Sequence, residues 1–199
     1  MEITPGESWV WTYRNLRTQS YLGVLFAADN GHSYFLKTNF MVQKLHTFPE
    51  TGQPFSVKEA MMFNACMEGL RAVGVHNEAT GANVSSSMEL ALNAVACAQF
   101  VRVPKRVIEH GFLPYIGTME HIDFGQVVSL CSKDHRVCDF IVLNDEDDAT
   151  DGVFRLMFVN REFSIDTHLL TLGACIKVPR AVIGPFRGTA KNTHSMSYA

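Results

Sequence analysis

The sequence predicts an α+β protein with a mainly antiparallel sheet, and three observations support this prediction. Alternating, strand-like patterns fill the N-terminal quarter and the C-terminal half of the chain. Helical spacing of apolar residues is confined to the middle, between Ser56 and Val103. Strands and helices do not alternate regularly, which disfavours a doubly wound nucleotide-binding fold. We therefore expect one globular domain over 1–187 and a flexible C-terminal tail over 188–199.

The N-terminal strands are predicted to form a β-hairpin with long arms. Large apolar residues recur at every second position after Ser8 and again over 34–42, and an apolar run over 21–27 lies between them. The intervening sequence at 29–31 is Asp-Asn-Gly, which is a strong hairpin-turn signal.

Two helices of similar length are predicted to follow as a helical pair. Ser56 and Glu59 form an S-x-x-E capping box, in which the hydroxyl and the carboxylate each satisfy a free amide at a helix start. Gly74 is a typical helix terminator. A second S-x-x-E, from Ser86 to Glu89, predicts another helix start, and that helix should end before the Val-Pro step at Pro104.

The C-terminal half is predicted to consist of strands. Extended patterns cover 122–131, 137–143, 153–159 and 169–178. The acidic segment 144–152 joins two of these strands and invites a calcium interpretation, but its spacing does not fit the calcium-loop motif. We expect a solvated acidic loop instead.

The charge distribution predicts an anionic partner. The chain of 199 residues has 17 Lys and Arg against 20 Asp and Glu, yet five acids lie between Asp145 and Asp151 and none follows Asp166. Two similar basic segments, 101–108 and 176–183, each contain a Val-Pro step, through partial duplication or independently. If these basic edges adjoin, they would form one surface for a nucleocapsid, an RNA or an anionic membrane; the alternative is a solvated face without a partner. The predicted binding residues are Arg102, Lys105, Arg106, Lys177 and Arg180.

Catalytic and cofactor motifs are absent from the sequence, so we predict a non-enzymatic, self-associating structural or interaction protein without a cofactor. Aromatic residues are not interleaved with the basic edges, so single-stranded nucleic acid is not specially favoured there.

The alternative is an enzyme or ligand-binding domain with a Cys/His site over 121–138. Zinc is one interpretation, a redox-sensitive thiol pair is another, and a plain hairpin with cross-strand cysteines is a third. The candidate residues are Cys131, His135 and Cys138, preceded by His121 and Asp123.

The sequence contains no recognisable secretory or transmembrane signal, and we expect an intracellular protein, cytoplasmic or nuclear. The first residues lack the basic region of a cleavable secretory signal, and no window of about 18 uncharged apolar residues predicts a transmembrane helix. The cysteines number five, an odd count that favours a reducing compartment.

The order of elements resembles the globular domain of rhabdovirus matrix proteins. The similarity covers about residues 21–165: a strand over 34–42, a loop ending in Gln53-Pro54-Phe55, two helices and a strand-rich half. It implies self-association, binding to a nucleocapsid and to the inner membrane leaflet, and a role in shaping virus particles. The chain lacks the Lys-rich N-terminal arm and the P-P-x-Y and P-[ST]-A-P motifs of particle release, and no functional residue is carried over.

Overall fold

The computed structural model describes residues 5–6, 8–27, 31–74, 84–102, 104–105, 107–108, 110–147, 149–165 and 168–187. Over these ranges the protein forms two α-helices and ten strands in three antiparallel sheets, with the helical pair between N-terminal and C-terminal strands. The predicted α+β class is therefore confirmed. Within the same ranges, no helix is long and apolar enough to cross a membrane.

The N-terminal sheet has three strands in sequence order: β1 (Val10–Leu16), β2 (Gln19–Ala27) and β3 (Ser33–Met41). The predicted hairpin is present as the β2–β3 pair, but its first arm is divided into two strands, because the chain already reverses at Arg17, which adopts a left-handed conformation with φ 58°. The predicted Asp-Asn-Gly turn falls largely on residues 28–30, outside the described residues.

The first helix, α1 (Val57–Ala72), begins at the predicted capping box. Ser56 Oγ accepts a hydrogen bond from the Glu59 amide at 3.2 Å, and the Ser56 amide donates to Glu59 Oε2 at 2.6 Å. The second helix, α2 (Val84–Phe100), starts before the predicted cap at Ser86. That cap is wrong, since Ser86 lies inside the helix and the next residue, Ser87, is fully buried.

The C-terminal half forms a five-stranded sheet and a separate two-stranded one. In the first, β4 (Val127–Cys131), β5 (Val137–Val142), β6 (Val153–Phe158), β9 (Cys175–Pro179) and β10 (Gly184–Pro185) lie in the order β10-β4-β5-β6-β9. The second pairs β7 (Glu162–Ile165) with β8 (His168–Thr171).

Two predicted strands in this half are shorter than expected. The strand over 122–131 begins only at Val127, because Gly125 turns the preceding chain at φ 84°. The strand over 169–178 is divided into β8 and β9, because Gly173 adopts φ 86° between them. Both interruptions use a backbone conformation that glycine adopts without steric strain.

The helices lie between the two larger sheets, and alternation along the five-stranded sheet supplies two cores. Val127, Ile141 and Met157 contact the core shared with α1, α2 and the N-terminal sheet. Their neighbours Val128 and Phe140 contribute to a second core on the opposite face. The five-stranded sheet is therefore buried on both sides, which matches its near-continuous apolar strands.

Candidate anion-binding surfaces

The two basic segments adjoin, as their predicted common surface requires. The Ile108 amide donates a hydrogen bond of 2.7 Å to the carbonyl of Lys177 in β9. Arg102 and Lys105 are exposed and Lys177 is half-buried, whereas Arg106 lies outside the described residues. The segments differ in structure, since 176–183 runs along β9 into a short 3-10 turn and no named strand includes the described residues of 101–108.

Arg180 already has protein partners. Its guanidinium pairs with the Glu146 carboxylate, and it donates to the carbonyls of Met119 at 2.6 Å and Glu120 at 3.2 Å. The predicted acidic loop, which does lie between β5 and β6, thus neutralises one of the five predicted binding residues. Arg102, Lys105 and Lys177 are better placed to contact an external anion.

The cysteine candidates lie in a plain β-hairpin. Cys131 pairs with Val137 and Leu130 pairs with Cys138, so the two thiols project from opposite faces of the sheet. Burial raises the pKa of both thiols above the ordinary value. Across the described residues, no group of three or more His, Cys, Asp and Glu side chains is arranged to hold a metal ion. The hairpin therefore does not bring Cys131, His135 and Cys138 into one ligand set.

The turn of this hairpin is closed by side-chain contacts of its own. Ser132 hydrogen-bonds to the Asp134 carboxylate, and Arg136 Nε donates to Asp134 Oδ2 at 2.5 Å. The Arg136 guanidinium also lies over the ring of Phe163, with its central carbon 4.7 Å from the ring centroid. These contacts give the polar residues of the turn a structural role.

A second cationic surface lies on the N-terminal sheet, on the side that faces away from the helices. Buried residues such as Trp11, Val24 and Leu36 occupy the inner side, and the alternating positions project outward. We call these outward positions the outer sheet face. Its members are Val10, Thr12, Arg14, Leu16, Tyr21, Gly23, Leu25, Phe35, Lys37 and Met41.

Cations and aromatic rings are paired on the outer sheet face. The Arg14 guanidinium carbon lies 5.5 Å from the Phe35 ring centroid, and Lys37 Nζ lies 4.9 Å from that of Tyr21. Gly23 makes room for this arrangement, because a Cβ there would come within 2.5 Å of the Phe35 ring. The Phe35 ring therefore packs against the backbone at Gly23, within cation–π distance of Arg14.

The outer sheet face was not predicted from the sequence, although the composition of the N-terminal strands contains a signal for it. None of the three N-terminal strands contains an acidic residue, while they carry Arg14 and Lys37, and the exposed Arg17 lies in the turn between β1 and β2. Alternation assigns these cations and the aromatic residues Tyr21 and Phe35 to one face only if the pairing register is known. The register follows from the tertiary structure.

A buried acid, Asp139, lies in β5 of the five-stranded sheet. Its side chain accepts hydrogen bonds from Ser129 Oγ at 2.6 Å and from Asn160 Nδ2 at 3.3 Å, and the residue is 3% exposed. Burial raises the pKa of this carboxyl, against the two hydrogen bonds, which lower it. The folded state therefore binds a proton more tightly than the unfolded chain does.

The Asp139→Asn substitution is expected to change the pH dependence of stability. A raised carboxyl pKa contributes stability that is complete below the unfolded pKa of about 3.9 and is lost as pH rises through the folded pKa. The stability of the parent protein relative to the variant should therefore fall as pH rises above about 4. Urea unfolding across this pH range measures the difference in stability.

Asp134→Asn is the control. The Ser132 hydrogen bond lowers the pKa of that exposed carboxyl, so its contribution to stability changes with pH only below about 4. If the free energy of unfolding of the parent minus that of Asp139→Asn stays constant or increases with pH, the raised pKa of Asp139 is contradicted.

A comparison of the chain with known protein families and with curated proteins finds no match.

Proposed function

We propose that this protein is a non-enzymatic binding protein that docks single-stranded nucleic acid on the outer sheet face. The observation that carries the proposal is the pairing of Arg14 with Phe35 and of Lys37 with Tyr21 on acid-free strands. Cations attract phosphates, and aromatic rings stack on unpaired bases of any sequence. Among the predicted anionic partners, this combination favours RNA over a membrane surface.

The basic edges provide a second set of contacts with the phosphates of the same nucleic acid. Arg102 and Lys105 are exposed, and they would extend binding to phosphates beyond the outer sheet face. Self-association and a matrix-like viral role stay predictions from the sequence. A strictly monomeric solution mass at high protein concentration would remove self-association from the proposal.

The test measures binding of a fluorescently labelled single-stranded RNA of mixed sequence by anisotropy at several salt concentrations. The double variant Arg14→Glu/Lys37→Glu should weaken binding by more than about tenfold and reduce the salt slope by about 1.4, since each phosphate contact on a single strand contributes about 0.7. Phe35→Ala should weaken binding by about 5- to 100-fold through lost stacking, with circular dichroism confirming that the sheet remains folded.

Two further variants complete the test. Lys133→Glu reverses one charge at an exposed turn position of the β4–β5 hairpin and should leave affinity within about twofold. Arg102→Glu/Lys105→Glu measures the contribution of the basic edges. Unchanged binding by the Arg14→Glu/Lys37→Glu variant would refute the outer sheet face as the site. Binding to anionic lipid vesicles without binding to RNA would identify a membrane as the partner instead.

A further inference from the structure

Two cations face each other on the ladder between β6 and β9. Arg155 and Lys177 are directly opposed in the antiparallel register, so their side chains project from the same face of the sheet. Both residues are half-buried. Like charges in opposed positions repel each other and destabilise a sheet. This pair therefore lowers the stability of the protein unless a negative charge compensates it.

The backbone hydrogen bonds show that the two strands are closely spaced at this pair. The Phe158 amide donates to the carbonyl of Ala174 at 2.9 Å, and these two residues continue the register of the ladder. Hydrogen-bonded pairs recur at every second position, which leaves Arg155 and Lys177 as a non-hydrogen-bonded pair. The carbonyl of Arg155 instead accepts from the Leu143 amide at 2.8 Å, on the side of β5. In a non-hydrogen-bonded pair the Cα atoms lie about 4.5 Å apart and the side chains are at their closest.

Neither cation is neutralised within the part of the chain that the structure describes. No described carboxylate lies within ion-pair distance of Arg155 or Lys177, whereas Arg180, which follows β9, pairs with Glu146. The Arg155 guanidinium donates to the carbonyl of Leu143 at 3.3 Å, which holds it beside the ladder, and the described residues supply no second acceptor. The flanking positions on this face of the ladder contain no carboxylate: Val153, Met157, Cys175 and Pro179.

The chemistry of the pair fits a phosphate group. The planar guanidinium of Arg155 presents N–H donors that match two phosphate oxygens, and the Lys177 ammonium adds a second positive charge. A phosphate monoester carries about 1.5 to 2 negative charges at pH 7, whereas a carboxylate carries one. A bound phosphate would therefore balance both cations and replace their repulsion with two attractive interactions.

We propose that Arg155 and Lys177 form a binding site for a phosphate group, either free in solution or part of a nucleic acid. The site adjoins the basic edges, because the Ile108 amide donates to the carbonyl of Lys177 at 2.7 Å and the same segment carries the exposed Lys105. Arg155 was not among the predicted binding residues, since only the register between β6 and β9 places it opposite Lys177. The site does not depend on the outer sheet face, so either proposal can fail without the other.

The test measures binding of inorganic phosphate to the full-length protein by isothermal titration calorimetry at constant ionic strength. The parent should bind phosphate more tightly than acetate, because acetate balances only one of the two cations. Lys177→Met and Arg155→Met should each weaken phosphate binding by about tenfold or more, through the loss of a charge-assisted hydrogen bond. Arg155→Lys keeps the charge without the planar fork, so its affinity should fall between those of the parent and Arg155→Met.

Thermal unfolding is a second measurement and shows whether the variants are folded. In chloride, Lys177→Met should be at least as stable as the parent, because the repulsion is removed. Added phosphate should raise the thermal midpoint of the parent more than that of this variant. Arg14→Gln/Lys37→Gln is the matched control, because it removes one Arg and one Lys from the outer sheet face and should respond to phosphate as the parent does.

The labelled single-stranded RNA distinguishes the two sources of phosphate. Binding of inorganic phosphate that both Met variants lose would support a site for free phosphate. If the parent does not bind inorganic phosphate but Arg155→Met/Lys177→Met weakens RNA binding, the phosphates are those of the nucleic acid. Equal phosphate binding by the parent and the Met variants, or the absence of both effects, would overturn the proposal.

Discussion

Replacing Gly69 with alanine is expected to lower the free energy of unfolding by about 2 kcal/mol or more. In an exposed helix, a glycine-to-alanine change has the opposite effect and stabilises the helix by about 1 kcal/mol. Gly69 lies in α1, where a Cβ would overlap the carbonyl oxygen of Gly125. The contact joins two backbone segments, since a Cβ on Gly125 would in turn lie 2.6 Å from the carbonyl carbon of Ala65 in α1. Neither segment has a flexible side chain that could move away.

The loop that carries Gly125 is itself held in place. The Gly125 amide donates to the carbonyl of Val142 at 2.9 Å, and the Val142 amide donates to the carbonyl of Gln126 at 2.9 Å. Urea unfolding of Gly69→Ala measures the loss, and Glu68→Ala, at the exposed neighbouring position of α1, is the matched control. A Gly69→Ala variant as stable as the parent would show that α1 and this loop are not in backbone contact.

Replacing Glu59 with alanine is expected to lower the free energy of unfolding by about 2–4 kcal/mol. This carboxylate is 5% exposed and serves two donors at once: Trp11 Nε1 at 2.9 Å and the Ser56 amide at 2.6 Å. Trp11 is fully buried, so alanine would leave its N–H without an acceptor inside the core. The same substitution removes half of the capping box of α1.

Two further variants divide the effect of Glu59. Ser56→Ala removes only the helix cap and should lower stability by about 1 kcal/mol. Glu59→Gln keeps one acceptor oxygen for two donors, so its loss should fall between those of Ser56→Ala and Glu59→Ala. Urea unfolding measures all three. A Glu59→Ala variant no less stable than Ser56→Ala would mean that the bond to Trp11 contributes nothing.

Local signals predicted the parts of the fold that depend on neighbouring residues. The cap at Ser56 was predictable because a hydroxyl and a carboxylate three positions apart satisfy amides of the same turn. The equivalent pattern at Ser86 was misleading, because α2 already begins at Val84 and Ser86 lies inside it. The next residue, Ser87, is buried in the packed helix. Arg17 reverses the first strand without glycine or proline, so the third strand of the N-terminal sheet was not apparent.

The candidate sites depended on residues that are distant in the sequence. Charge counting identified Arg180 but not its pairing with Glu146, which lies in a different loop. This contact requires the sheet order and the position of the loop between β5 and β6, which no short-range pattern specifies.

The sequence by itself determined the fold class, the start of α1 and the uneven distribution of charge, because each depends on residue type and short spacing. Only the tertiary structure decided which charges and rings share a surface. Arg14 reaches Phe35 because β1, β2 and β3 pair in a register that lays the Phe35 ring over Gly23. A register shift of one residue would move those side chains to the opposite face of the sheet, so the outer sheet face exists only in the folded protein.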